Sequence, residues 1–274
     1  MERARGPLGG APARRRGVTE PRGRTVATFV TDGAIPDAGP VTLGEDAAHH
    51  MRVRRLAEGG AVALRDGAGR SADATLVRLA RAQATVEVVR VHTHAPPPPV
   101  HLLVPVADRD RMLWLGEKVV EIGVASWRPV LWHRSRSVTP RGEGPAFAAK
   151  LRARMTSALA QSEAAWLPVL RPEATLDGAV EGVIADGERV LRLLLDPAGE
   201  PLATMRAPES GAPVVVACGP EGGIEPDEHA RLVAAGFRAA SLPGNILRFE
   251  TAGVLGAAFA RAMVEARPAE PPSR

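Results

Sequence analysis

From residue 25 onward the chain alternates short apolar runs with polar turns. Val26–Val30, Ala61–Arg65, Ala74–Leu79 and Thr85–Val91 are apolar or β-branched runs of strand length. Asp66-Gly67-Ala68-Gly69 between two of them is a hairpin signal. Ala47–Leu56 carries His49, His50 and several arginines on a predicted helical turn. These elements predict a small β-barrel over residues 25–94.

The pattern then changes. Ala95-Pro96-Pro97-Pro98-Pro99 offers four residues that cannot donate to a strand ladder and prefer extended backbone. It is the expected linker. Beyond it, strand-like runs at 100–106, 127–132, 189–195, 213–218 and 238–242 alternate with helical periodicity. The helices are predicted at 109–122, 145–164, 174–183, 226–236 and 250–265. That alternation predicts an α/β domain over 100–266 with a mainly parallel sheet. The end pieces, 1–24 and 267–274, are rich in Arg, Gly and Pro or in Pro alone and are expected to be disordered.

Charge sharpens this division. The 274 residues carry a formal net charge of +4, yet residues 1–24 hold seven arginines and only two acids. Without them, 28 basic and 29 acidic residues remain, so the body is nearly neutral. An arginine arm can grip phosphates by releasing their counterions, and it also serves simply as a solubilising extension. The single cysteine, Cys218, excludes an intramolecular disulfide framework and a cysteine-rich zinc site. No apolar run is long enough for a membrane helix, and residues 1–24 lack the apolar core of a secretory signal. A cytoplasmic protein that does not engage membranes is expected.

Two stretches suggest chemistry. In Val214–Gly223 an apolar strand enters Gly219-Pro220-Glu221-Gly222-Gly223, followed by Glu225-Pro226-Asp227-Glu228 at a predicted helix start. Glycines let backbone approach a ligand, and open α/β sheets bind ligands at the carboxyl ends of their strands. The dinucleotide spacing G-x-G-x-x-G is absent. On residues alone, a tight strand-to-helix turn explains this loop equally well. In Leu242–Ala252 a Pro-Gly turn leads through Ile246 and Leu247 to Arg248, Glu250 and Thr251. Glu250 in a first helical turn complements the helix dipole, and Arg248 suits a structural ion pair as well as a reacting anion.

Together, in order, these two stretches resemble the SPOUT methyltransferases, and more narrowly the RsmE family, which methylates N3 of a uridine in 16S ribosomal RNA. Other segments agree. His49-His50-x-x-Val53-x-Arg55-Leu56 is similar to that family's PUA-like barrel. Lys118-x-x-Glu121-x-Gly123-Val124, Ser135-Arg136-Ser137-Val138 and Gln161-Ser162 with Pro168 are similar to segments of its catalytic domain. The resemblance covers about 25–266. It implies a trefoil-knotted α/β domain, a homodimer, and S-adenosylmethionine held by Leu195, Gly219, Pro220, Glu221, Gly222, Gly223, Leu242, Gly244, Asn245, Ile246 and Leu247. It implies catalytic roles for Arg248 and Glu250, and RNA contacts from Arg55, Arg136 and Gln161. A cation at Arg248 would stabilise charge on the uracil oxygens, and Glu250 is the candidate base.

The chain departs from the family pattern at several points. Asp108 stands where the family has Lys, Ala164 where it has Arg, Asn245 where it has Arg, and Pro243 where it has Gly. Three cations are therefore lost while the glycine loop is kept. That bias raises two alternatives to 16S RNA methylation. One is transfer to another RNA or to a small uracil-like molecule, and the other is a non-catalytic RNA-binding module. No metal site is expected: His49-His50 and His92-x-His94 lack a third clustered ligand. Cys218 is expected to be a small buried residue, and Trp114, Trp127, Trp132 and Trp166 to be core or interface. The cluster Arg134, Arg136 and Arg141 fits a solvated loop or an RNA contact.

Overall fold

A computed structural model describes residues 26–137, 142–184, 189–208 and 211–265. The expected tails at 1–24 and 267–274 lie outside the described residues, as does Arg141. Two sheets organise the chain. The first has the order β1 (Ala27–Val30), β3 (Ala61–Arg65), β4 (Arg70–Leu79), β5 (Ala84–Thr93), β2 (Gly39–Leu43), with helix α1 (Glu45–Val53) following β2. β1 joins β3 in parallel and every other pairing is antiparallel. Inward residues alternate as one-sided burial requires: Ala84, Val86 and Val88 of β5 are buried, while Glu87 and Val89 are exposed. They pack with Phe29, Ile35, Leu43, Met51, Leu64 and Leu76 into one core.

The sequence reading placed no strand at 39–43. Gly39 and Pro40 argue against one, but β2 lies at the sheet edge, where a proline's missing donor costs nothing.

The second sheet is parallel throughout. Its elements run β6 (Val100–Pro105), α2 (Arg109–Ile122), β7 (Ser126–Leu131), α3 (Pro145–Ser162), β8 (Val169–Leu170), β9 (Ala174–Thr175), α4 (Leu176–Ile184), β10 (Leu191–Pro201), β11 (Val214–Cys218), α5 (Pro226–Ala234), β12 (Arg238–Ser241) and α6 (Phe249–Glu265). The strand order is β12-β10-β11-β6-β7-β8, with β9 also on β7. β11 is central and buried at all five positions, as its unbroken Val-Val-Val-Ala-Cys run requires. Helices α2, α3 and α6 cover one face through Met112, Leu115, Leu151, Met155, Phe249 and Ala257. Helices α4 and α5 cover the other through Leu176, Val180 and Leu232. Trp127 and Trp132 are buried in these layers, whereas Trp114 is half exposed.

β10 outruns its predicted end at Leu195. Asp196-Pro197-Ala198-Gly199 forms a bulge within the strand. Asp196 Oδ1 accepts the Ala198 N–H at 2.8 Å, and the pairing to β12 shifts between Leu195 and Glu200. The strand resumes beyond this bulge.

The two sheets meet at the hairpin Asp66–Gly69. Gly69 donates to the Ala165 carbonyl at 2.9 Å, and Gly67 accepts from the Leu167 N–H at 2.8 Å. Gly69 sits at φ +96°, and a Cβ there would overlap the Trp166 indole. The proline stretch is also tied down. Pro98 O accepts from Arg261 Nη1 at 2.6 Å, and Pro99 O accepts from the Val214 N–H at 3.0 Å.

Candidate cofactor cavity

The carboxyl ends of β10, β11 and β12 open onto a cavity of about 690 Å³. Ligands of open parallel sheets bind at this end, and the volume lies within the ordinary range for small-molecule sites. Both motif stretches contribute to it. Gly219, Pro220, Glu221 and Gly223 enter from the loop after β11. Leu242, Gly244, Asn245, Ile246, Leu247 and Arg248 enter from the loop between β12 and α6, and Leu195 lies on its wall at the end of the regular part of β10.

Gly222 is the exception among the expected cofactor residues. It is not among the lining residues. Its carbonyl accepts from Arg134 Nη1 at 2.6 Å, and the Arg134 side chain packs where a Cβ would stand. A side chain at Gly222 would press on Arg134. Gly223 next to it needs its glycine for a different reason, a φ of +80°.

Arg134 also donates from Nε to Glu225 Oε1 at 2.7 Å. Its neighbour His133 donates its backbone N–H to Glu228 Oε1 at 2.8 Å. Glu228 is buried, and its other oxygen accepts the Glu225 N–H at 3.0 Å, closing a capping box on α5. The 3-10 turn His133–Ser137 is thus stapled to the glycine loop. Of the three expected loop arginines, Arg134 is committed to this staple. The side chain of Arg136 lies outside the described residues.

A second arginine joins the two motifs. Arg111 of α2 ion-pairs with Glu221, and its Nε stands 3.8 Å from Glu250 Oε1. Glu250 is mostly buried, does not line the cavity, and keeps Oε2 without a hydrogen-bond partner among the described residues. Both carboxylates lie near Cys218, which lines the cavity floor. Burial first, then the charges of Glu221 and Glu250, push the Cys218 thiol up to about 12. The thiol is neutral at physiological pH, in keeping with the expected packing role.

Sequence reasoning missed Arg111, Asp196 and His229. Asp196 and His229 both line the cavity. Asp196 had a legible signal, since it ends a parallel strand. His229 lies one helical turn beyond Pro226, a spacing that places both on the same side of α5. Arg111 had none, because its partner Glu221 lies 110 positions away. Two of the three expected RNA contacts stand away from the cavity. Arg55 is an exposed residue at φ 53° just after α1, and Gln161 is exposed in the last turn of α3. The histidines of the first sheet find other partners: His92 pairs with Asp73 at 3.0 Å and His94 with Ser71 at 2.8 Å.

Comparison with known proteins agrees with this architecture. Residues 94–261 match the RNA methyltransferase domain family, and residues 43–89 match the RNA methyltransferase PUA domain family. Ribosomal RNA small subunit methyltransferase E of Mycobacterium bovis is 31% identical over 240 residues, covering 84% of this chain and 89% of that protein. The chain belongs to the ribosomal RNA small subunit methyltransferase E family. The relative from Synechocystis is 28% identical over 82% of this chain and 74% of its own length. The crystal structure of the Neisseria gonorrhoeae family member bound to S-adenosyl methionine has a TM-score of 0.74 and 26% identity. It covers 85% of this chain and 95% of that one.

Within the family, the departures now have physical readings. Asp108 is the N-cap of α2 and accepts from the backbone N–H groups of Asp110 at 3.0 Å and Arg111 at 3.2 Å. Ala164 packs on the catalytic-domain core. Pro243 is exposed and does not line the cavity, whereas Asn245 does.

Proposed function

We propose that this protein transfers a methyl group from S-adenosylmethionine to ribosomal RNA of the small subunit, with N3 of a uridine as acceptor. The observation that carries the reading is the cavity itself: a single space of about 690 Å³ at three strand ends, walled by both motif stretches. Its residues suit the cofactor. Leu195, Leu242 and Leu247 offer an apolar wall for an adenine, and the glycines keep backbone close. Glu221 stands on the cavity wall, held by Arg111. When bound, the cofactor supplies an electrophilic methyl on a sulfonium.

The chain's own work is positioning and electrostatics. Arg248 reaches the cavity from the start of α6 and is the catalytic residue of this reading: it stabilises the negative charge that a uracil acquires on its oxygens as its N3 proton passes to solvent water. Glu250 has no surface on the cavity. Its carboxylate holds Arg111, which in turn holds Glu221 at the wall, so Glu250 is a positioning residue and not the base. The reading also includes a trefoil knot through the two loops, a homodimer and a cytoplasmic location. The homodimer is favoured by Ile246, an apolar side chain 90% exposed on the cavity rim. Asp108 removes one reason to invoke a changed acceptor, because capping α2 accounts for its presence.

The test is transfer of labelled methyl to small ribosomal subunits that lack the modification, with the product nucleoside mapped by mass spectrometry. Arg248→Ala is expected to lower transfer about 100-fold or more while cofactor affinity changes little. Failure of the native protein to bind S-adenosylmethionine, or full activity in the variant, refutes the assignment.

A further inference from the structure

The proposed cofactor leaves one polar pair of the cavity without a role. Asp196 and His229 both line it, from β10 and α5. Neither is sealed: their side chains are 29% and 41% exposed. His229 Nε2 stands 3.7 Å from Asp196 Oδ2, too far for a direct hydrogen bond. The carboxylate is nonetheless fixed, because Oδ1 accepts the Ala198 N–H at 2.8 Å inside the β10 bulge. That leaves Oδ2 as the oxygen beside His229.

We propose that Asp196 and His229 together read a ribose hydroxyl of the cofactor's adenosine. This rests on the cavity being the S-adenosylmethionine site. The geometry suits a bridging hydroxyl. An oxygen placed about 2.8 Å from each of two atoms 3.7 Å apart forms an ordinary hydrogen-bonding triangle. A hydroxyl can donate to the carboxylate and accept from the imidazole N–H at the same time. A carboxylate at the end of a parallel strand is a physically sound reader of ribose hydroxyls. The pair also sits beside Leu195, the apolar residue next to Asp196 in the chain, so an adenine on the apolar wall brings its sugar to this point. The cavity's other carboxylate, Glu221, is already engaged with Arg111. A methionine carboxylate would be repelled by Asp196, which favours the neutral diol there.

The experiment is calorimetric titration of the full chain with S-adenosylhomocysteine and with its 2′-deoxy and 3′-deoxy analogues. The native protein is expected to bind the ribose compound about tenfold more tightly than at least one deoxy analogue, because the analogue forfeits a hydrogen bond to the charged Asp196 carboxylate. Asp196→Asn keeps the Oδ1 acceptor for Ala198 but replaces Oδ2 with an amide. It and His229→Ala are each expected to weaken the ribose compound about tenfold and to bring the ribose-to-deoxy ratio close to one. Equal binding of all three compounds by the native protein overturns the inference. So does a ratio unchanged in both variants, with melting curves confirming that they are folded. If the native protein binds none of the three, the cofactor assignment itself fails, and this inference fails with it.

Discussion

Asp108 shows how one side chain can look like a functional loss and be a folding device. Replacing a family lysine by an acid removes a cation from the domain. Yet the acid satisfies two of the orphan donors that begin α2, one of them belonging to Arg111. The cap therefore fixes the backbone of the arginine that joins Glu221 to Glu250. Cys218 makes the converse case, a reactive residue type made inert by its surroundings. Its thiol is raised from 9.0 to about 12 by burial and by two nearby carboxylates. Only the thiolate alkylates. Native protein is expected to resist iodoacetamide at pH 8 and to label fully once unfolded in denaturant, as read by intact mass. Rapid native labelling would mean that the cavity floor is open. The sign for stability follows. The folded thiol holds its proton above the pH at which the unfolded one releases it. Its contribution is therefore present below pH 9.0 and lost as pH rises from there toward about 12.

Individual elements explain why the site has its shape. β10 stops pairing regularly at Leu195, bulges through Asp196–Gly199, and resumes at Glu200. The bulge is what delivers Asp196 to the cavity wall. The 3-10 turn His133–Ser137 is held by three hydrogen bonds, one from Arg134 to Gly222 of the glycine loop, one from Arg134 to Glu225 at the N-cap of α5, and one from His133 to Glu228 of α5. Arg134→Ala removes the first two and empties the space beneath Gly222. Cofactor affinity is expected to fall about five- to tenfold, while the unfolding free energy changes by about 1 kcal/mol or less, because the side chain is half exposed. Calorimetry and denaturant titration separate the two effects. Unchanged affinity would mean that the loop keeps its form without the staple.

At the scale of the molecule, the barrel sheet and the catalytic sheet are joined by more than a run of prolines. The hairpin Asp66–Gly69 exchanges backbone hydrogen bonds with Ala165 and Leu167, and Ala68 bridges to Trp166. Gly69→Ala would set a methyl against the Trp166 indole at a φ that side chains avoid. A loss of about 1–3 kcal/mol is expected. Urea unfolding measures the loss. Hydrogen exchange at the Leu167 amide, which bonds to Gly67, shows whether the junction opens first. A midpoint and exchange rate equal to the native values would show that the hairpin carries no part of the junction.

Most of the element order was legible from periodicity. The helix bounds at 109–122 match α2, and the apolar run at 213–218 announced the central strand β11, because burial on both faces forces an unbroken apolar sequence. The edge strand β2 escaped because its Gly-Pro start contradicts strand propensity and is tolerated only at an edge. The glycine loop and the Arg248 loop were readable as turns because short-range spacing encodes a turn, and both line the cavity. Arg111 was beyond reading, for it matters only through Glu221, 110 positions away, whereas Asp196 and His229 were missed although strand-end position and helical spacing pointed to them. That Gly222 packs against Arg134 was likewise beyond reading. The sequence by itself determined most of the elements, the change from one sheet to the other and the turns of the two loops, since these depend on local pattern and one-sided burial. Tertiary structure alone decided which charges face one another, which glycine accommodates a side chain and which acid caps a helix, because those outcomes are set by distances that only the folded chain creates.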